Sequence, residues 1–327
     1  MEIRGKGPEA TRLNAAGKYV FLNADGAVLA DLTLRNRKGN NFNSGILMFG
    51  ADALATNCVI RDASGNNLAL IGMASGRLVD CVATGGSCIN GYCGGITITD
   101  NMTDNSTVLP IHKVGGVVID RCVVTNCTSS GSGAVSGVGI RYGGNSNHDT
   151  KPVIRNTLVA CNYAKTTGSD TANYGAGIHL ARPAVVENCT VVSNALNQGD
   201  YAAGLYAAAA GSCVTNTVVW GNYSGKTRRD VGGVAGTAFS HCLAPEFASG
   251  AAAAWTLDAC LSGAPLFKDF DGGDYTFGVS SPLLNKGVML PWMENARDLA
   301  GQARLVGKPD IGCYESPLTP HTIFIVQ

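Results

Sequence analysis

Arg141, His179 and Tyr206 each follow an Ile or Leu in a recurring Gly-rich phrase: GVGIRYG (137–143), GAGIHLA (175–181) and AAGLYAA (202–208). Successive side chains of a strand point to opposite faces. With the Ile or Leu turned inward, stacked copies of the phrase set Thr97, Arg141, His179 and Tyr206 in one outward column. Four residues before the Ile or Leu stand Tyr92, Ser136, Tyr174 and Tyr201, a second column beside the first. Tyr rings offer apolar faces to sugar C–H groups and hydroxyls to polar edges. A guanidinium can neutralise a uronate carboxylate with two parallel bonds. His179 or a Tyr hydroxyl can remove a proton α to that carboxylate, as a β-eliminating lyase requires. The spacing predicts a polysaccharide site in which Arg141, His179 and Tyr206 are catalytic. Tyr92, Tyr174 and Tyr201, with the loop acids Asp170 and Asp200, would hold the substrate. The competing reading is a solvated sheet face that carries Tyr and His without any ligand.

Other chemistry is less well supplied. Hydrolysis of a glycosidic bond needs two carboxylates ~5–9.5 Å apart. Asp149, Asp170 and Asp200 fall in loops of variable length and form no recognisable pair. The segment DNMTDNSTVLPIHK (100–113) adds Asp100, Asp104, His112 and Lys113, and can wall a groove or decorate the surface. In DFDGGDY (269–275), Asp269, Asp271 and Asp274 share a Gly-rich turn, which can hold calcium. The downstream bidentate Glu of an EF-hand is missing, so the stretch reads first as a plain turn, and no other cofactor is expected. The pairs Cys88/Cys93 and Cys122/Cys127 lack the second cluster of a zinc site. The twelve cysteines read better as buried thiols acting as small hydrophobes.

The elements that must position these residues are visible as a repeat. DRCVVTN closes at Asn126, NTLVACN at Asn162, NCTVVSN at Asn194 and NTVVWGN at Asn222, in steps of 36, 32 and 28 residues. Weaker copies close at Asn36, Asp62 and Gly85. Each copy and the Gly-Ile phrase after it are short β-rich runs bounded by Gly, Asn and Ser, with no amphipathic helix between them. A leucine-rich repeat lacks its Leu positions and its helical return here. A parallel β-helix tolerates loops of variable length between stacked strands. The expected fold is therefore all-β: one single-stranded, right-handed parallel β-helix (a solenoid) over residues 1–245. The last turns and a short C-terminal cap should occupy 246–327. Stacking sets equivalent side chains in ladders. Asn36, Asn126, Asn162, Asn194 and Asn222 should form one ladder at a tight turn, and Cys58, Cys81 and Cys122 an interior thiol stack.

Composition agrees. Gly is 43 of 327 residues, about twice the usual share, while charged residues are only 15% against ~25% in ordinary domains. Lys plus Arg and Asp plus Glu are 24 each, so there is no basic excess for nucleic acid. No apolar run reaches the ~18–20 residues of a membrane span, and no signal peptide opens the chain.

After residue 245 a further pattern carries a resemblance. It comprises Pro265 and Phe267; Gly273, Asp274 and Tyr275; Ser281, Pro282 and Gly287; Asp298, Gly301 and Arg304; then DIGCYE (310–315). This resembles the C-terminal signature of secreted, pectate-lyase-like β-helix proteins of the choice-of-anchor Q domain family, with Cys313 where Ala is usual. The resemblance implies a secreted or cell-surface protein acting on or binding polysaccharide. It also implies an N-terminal cap and leader ahead of residue 1. It transfers no catalytic residues. The second expectation is a non-catalytic adhesin or filament-forming β-helix that self-associates through exposed coil ends. Asp310 and Arg304 are expected to pair and close the coil.

Overall fold

The computed structural model describes residues 1–15, 20–36, 45–63, 69–71, 75–89, 94–99, 103–104, 107–108, 116–144, 150–167, 173–249 and 254–317. Two long parallel sheets, meeting in the strands Val28–Arg35 and Leu54–Arg61, run the length of the chain. Sheet I stacks 2–4, 28–30, 54–56, 77–79, 118–120, 153–155, 185–187, 213–215, 238–240 and 256–258. Sheet II stacks 12–14, 33–35, 59–61, 82–84, 123–125, 158–160, 190–192 and 218–220. Sheet III holds 87–89, 128–131, 163–166, 195–196 and 223–224. Sheet IV holds 20–22, 46–48, 69–71, 96–98, 140–142, 178–180, 205–207 and 231–233. The chain is a parallel β-helix, as the repeat predicts.

One residue turns the chain from sheet I to sheet II. Asp31, Asn57, Asp80, Arg121, Asn156, Asn188, Asn216, His241 and Ala259 all take φ between 47 and 59° there. Asn and Asp tolerate that left-handed conformation best, which explains their prevalence. The next residue faces the interior: Cys58, Cys81, Cys122, Thr157, Cys189, Thr217, Cys242 and Cys260. Each thiol or hydroxyl donates to the carbonyl two residues back, at 3.2 Å for Cys58 and 2.7 Å for Thr157. The expected stack of Cys58, Cys81 and Cys122 is thus part of a longer column. Its members add a side-chain donor to carbonyls that, for Asp120, Arg155, Glu187, Thr215, Ser240 and Asp258, already accept the corner N–H of the preceding coil.

The Asn ladder is shorter than the sequence suggests. Asn162, Asn194 and Asn222 stack, and all three are fully buried. The backbone N–H and Nδ2 of Asn162 both donate to Asn194 Oδ1, at 3.1 and 2.9 Å. Asn194 does the same to Asn222 Oδ1, both at 2.9 Å, and Asn222 to Asp230 Oδ1, both at 2.7 Å. Asn126 is exposed and belongs one position earlier. Thr125 is level with Ala160 and Val192, so Asn126 stands with Cys161, Ser193 and Gly221, all at positive φ. Asn36 stands level with Asp62 and Gly85. Alignment on the closing Asn hides a one-residue slip: the interior Cys lies four residues before Asn126, but Thr157, Cys189 and Thr217 lie five before their Asn.

The ladder explains the Gly-Ile phrase. A Cβ on Gly139, Gly177 or Gly204 would lie 2.9, 2.9 and 2.7 Å from Nδ2 of Asn162, Asn194 and Asn222. Cγ1 of Val159, Val191 and Val219 would be no farther than 2.8 Å. The two repeated phrases are the two walls of a coil too narrow for a methyl group at that point.

The C-terminal segment lies along the flank of the coil. A hairpin of Phe267–Asp269 and Asp274–Phe277 places Tyr275 against Leu158, Ala160 and Val192, on the outer face of sheet II. Phe277, Leu283, Leu284 and Ile311 cover Val218 and Leu243. The corner residues Asn156, Asn188 and Asn216 donate to the carbonyls of Arg297, Asp310 and Val288, fastening the segment to three successive coils. Arg304 is fully buried, but it bonds the carbonyls of Asp310 and Gly312 at 2.7 and 2.9 Å. The expected Arg304–Asp310 ion pair is replaced by these backbone contacts. The Asp310 carboxylate is taken by the amides of Asn285 and Ser316, and that of Asp298 by Gln302 and Glu315.

Candidate functional site

Sheet IV carries the predicted outward column. Thr97, Arg141, His179, Tyr206 and Gly232 are in register on successive strands. Their flanking residues, Ile140 and Tyr142 or Ile178 and Leu180 for example, are buried in the core. Tyr174 pairs with Ser136 in a parallel bridge, which sets the second column beside the first. Gly175, at φ 46°, folds the chain back between them. A Cβ there would sit 2.3 Å from the Ile178 carbonyl, so only glycine allows Tyr174 to reach the next strand.

The two columns merge into one ring cluster. Tyr174 stacks on His179 at 5.4 Å with an interplanar angle of 14°. Tyr174 also meets Tyr201 at 4.3 Å and Tyr206 at 4.9 Å. Tyr201 and Tyr206 meet edge to face at 5.3 Å, and His179 lies 6.0 Å from Tyr206. The Tyr206 ring also covers Gly232 of the next coil, whose Cβ would touch it at 3.0 Å. The three tyrosines and Arg141 are half-buried, so their outer faces reach solvent. The Arg141 guanidinium lies over Gly143, whose Cβ would be 2.7 Å from it.

His179 differs from its expected role. The sequence places it on an open face, yet it is 6% exposed beneath Tyr174 and Tyr206. Burial, helped by the Arg141 charge, pushes its pKa down to about 3. The imidazole is therefore neutral at ordinary pH, and its Nδ1 has no partner among the described residues. A base whose conjugate acid is that strong is a poor acceptor for a sugar proton. Tyr206 is shifted the other way: burial, with Tyr201 beside it, raises its pKa and keeps the phenol protonated.

The remaining predicted residues do not all join the cluster. Asp200 is exposed, and its carboxylate faces Arg229 at 3.7 Å, at the rim beside Tyr201. Tyr92 and Asp170 lie outside the described residues, as do Asp149, Asp100, His112 and Lys113. In the Gly-rich turn 269–275, read first as a plain turn, two of the three carboxylates are used locally. Asp269 accepts from the Gly272 amide at 2.8 Å, and Asp274 from the Thr276 amide and hydroxyl at 3.0 and 2.5 Å. Among the described residues no three His, Cys, Asp or Glu side chains converge as metal ligands. No helix among them is long and apolar enough to cross a membrane.

The sequence did not single out the row of charges at the first corner. Arg155 holds Asp120 with two bonds near 3.0 Å and carries Trp292 of the C-terminal segment over its guanidinium at 4.7 Å. Arg121 grips Asp80 at 2.7 and 2.9 Å. The signal was present as Asp-Arg and Arg-Asn at adjacent repeat positions. Its members are spent on one another, so the row braces the corner. No family model matches the chain, and neither the curated proteins nor the solved structures contain a match to it.

Proposed function

We propose that the protein is a polysaccharide-binding β-helix of the choice-of-anchor Q type, acting outside the cell, with sheet IV as its binding face. The observation that carries this reading is the ring cluster of Tyr174, Tyr201 and Tyr206. It spans two coils, leaves its outer faces to solvent and has Arg141 beside it. Tyr rings fixed by packing on one another present apolar area at little entropic cost. Successive strands of a parallel sheet are about 4.8 Å apart, so two coils offer a row about the length of two sugar units. His179 serves as the neutral floor of this platform rather than as a proton acceptor. The lyase chemistry read from the sequence thereby loses its base, and the binding half of that reading is retained.

The test is affinity electrophoresis in gels containing acidic or neutral polysaccharides, run alongside assays for unsaturated products and new reducing ends. The expected result is retardation by at least one polysaccharide, lowered tenfold or more in Tyr201→Ala and Tyr206→Ala, with unchanged unfolding curves. Absence of retardation with every polysaccharide would overturn it. The self-assembly reading draws on a separate feature. Ile3, Leu13 and Leu257 are 41, 36 and 36% exposed, on strands that among the described residues pair on one side only. Sedimentation at rising protein concentration checks it.

A further inference from the structure

Two runs of the corner column place cysteines on adjacent coils: Cys58, Cys81 and Cys122 near the start, Cys242 and Cys260 at the end. The eleven described cysteines are all thiols. Neighbouring rungs of a parallel sheet stand about 4.8 Å apart, inside the 4.4–6.8 Å Cα span of a disulfide. Their Cβ vectors run parallel, however, so the Cβ atoms are also about 4.8 Å apart against a mean near 3.8 Å in a disulfide. Closing the bond requires one rung to move by about 1 Å.

The rungs of Cys58, Cys81 and Cys122 are hydrogen-bonded to neighbours on both sides and cannot make that movement. The rung of Cys260 can. Among the described residues its strand Thr256–Asp258 pairs only with Ala238–Ser240, and residues 256–259 are exposed. Cys260 itself is partly exposed, whereas Cys242 is 1% exposed. The two residues stand level on adjacent rungs, since Ser240 is in register with Asp258, and the Leu261 amide next to Cys260 donates to the Cys242 carbonyl at 2.7 Å.

We propose that Cys242 and Cys260 are a redox-active dithiol that closes to a disulfide by exchange with a low-molecular-weight disulfide. The neighbouring Cys242 thiol brings the Cys260 pKa down to about 7, so its thiolate is populated at neutral pH. That thiolate attacks one sulfur of the small disulfide, forming a mixed disulfide and expelling one small thiolate. Cys242 then loses its proton to solvent and attacks the Cys260 sulfur, expelling the second. Two protein thiols are oxidised and one small disulfide is reduced to two thiols. Cys161 and Cys213 are also exposed, but their neighbours in register are Asn126 and Ser193, and Val185 and Ala238. Exchange at those two sites stops at the mixed disulfide.

The test incubates the folded protein with oxidised glutathione, traps remaining thiols with an alkylating agent in denaturant, and maps the peptides by mass spectrometry. The expected products are a Cys242–Cys260 crosslink and glutathione adducts at Cys161 and Cys213. Cys58, Cys81 and Cys122 should be recovered alkylated. In Cys242→Ser a stable adduct should accumulate at Cys260, with a rate that rises through pH about 7. In Cys260→Ser, Cys242 should stay reduced. Adducts at Cys161 and Cys213 without the crosslink, or a lasting adduct at Cys260 of the unmutated protein, would overturn the proposal.

Discussion

Replacing Asn194 with Ala tests the architecture at its centre. The side chain takes part in five hydrogen bonds. Nδ2 donates to the carbonyls of Val159 and Val192 and to Asn222 Oδ1, and Oδ1 accepts from the N–H and Nδ2 of Asn162. Alanine leaves the Asn162 N–H and the Val159 carbonyl buried without these partners, while the Val192 carbonyl keeps the Cys161 N–H. Each such group costs about 1–3 kcal/mol, so the expected loss is about 4 kcal/mol. Asn222 Oδ1 is spared, because the residue 194 N–H still reaches it. Asn126→Ala is the control. It closes the same sequence phrase but is exposed, and it loses only the tolerance of Asn for φ 55°, about 1 kcal/mol. Both are measured by urea unfolding, from the midpoint shift and the slope. The reasoning fails if Asn194→Ala falls within about 1 kcal/mol of the unmutated protein, or if the two variants lose the same amount.

Gly177→Ala should destabilise by about 3 kcal/mol or more, because its Cβ would meet the Gly204 carbonyl, Val191 and Asn194 at 2.6–2.9 Å. Gly133→Ala, with nothing within 4 Å of the added Cβ, should be neutral; thermal melts of the pair decide. The fold holds His179 neutral, with its pKa depressed from 6.5 to about 3. Its contribution is therefore present above pH 6.5 and lost as pH falls toward 3, a few kcal/mol at about 1.4 kcal/mol per unit, and His179→Gln should flatten that acid limb of the stability curve. Glu315 is the opposite case: burial, with Asp310 beside it, raises its pKa to about 8. The protonated form is favoured, so its contribution is complete below pH about 4.5 and is lost as pH rises toward 8. Glu315→Gln should remove that alkaline slope in urea midpoints measured between pH 5 and 9.

Much of this was legible because a solenoid writes its geometry in local order. Alternation along GAGIHLA gave the inward Ile178 and outward His179, and repetition placed His179 between Arg141 and Tyr206. Two things were not legible. The slip that separates Asn126 from Asn162 depends on strand register, and the closing Asn looks the same in either register. The burial of His179 depends on Tyr174 folding back over it through Gly175, a contact no periodicity encodes. The flank position of the C-terminal segment was hidden for a related reason. Its motif residues Asp298, Arg304 and Asp310 serve their own irregular backbone, while the residues that receive it, Asn156, Asn188 and Asn216, look like ordinary corner residues.

That fastening changes how the molecule should respond to force. An unstrapped solenoid pulled from one end unzips coil by coil, since each coil touches only its neighbours. Here bonds between residues 141, 122 and 72 positions apart tie three inner coils to the segment 288–310. Pulled from its N-terminus, the first coils should peel in small steps. The strapped block from about residue 150 to 317 should then rupture as one unit, releasing about 550–600 Å of chain at ~3.4 Å per residue.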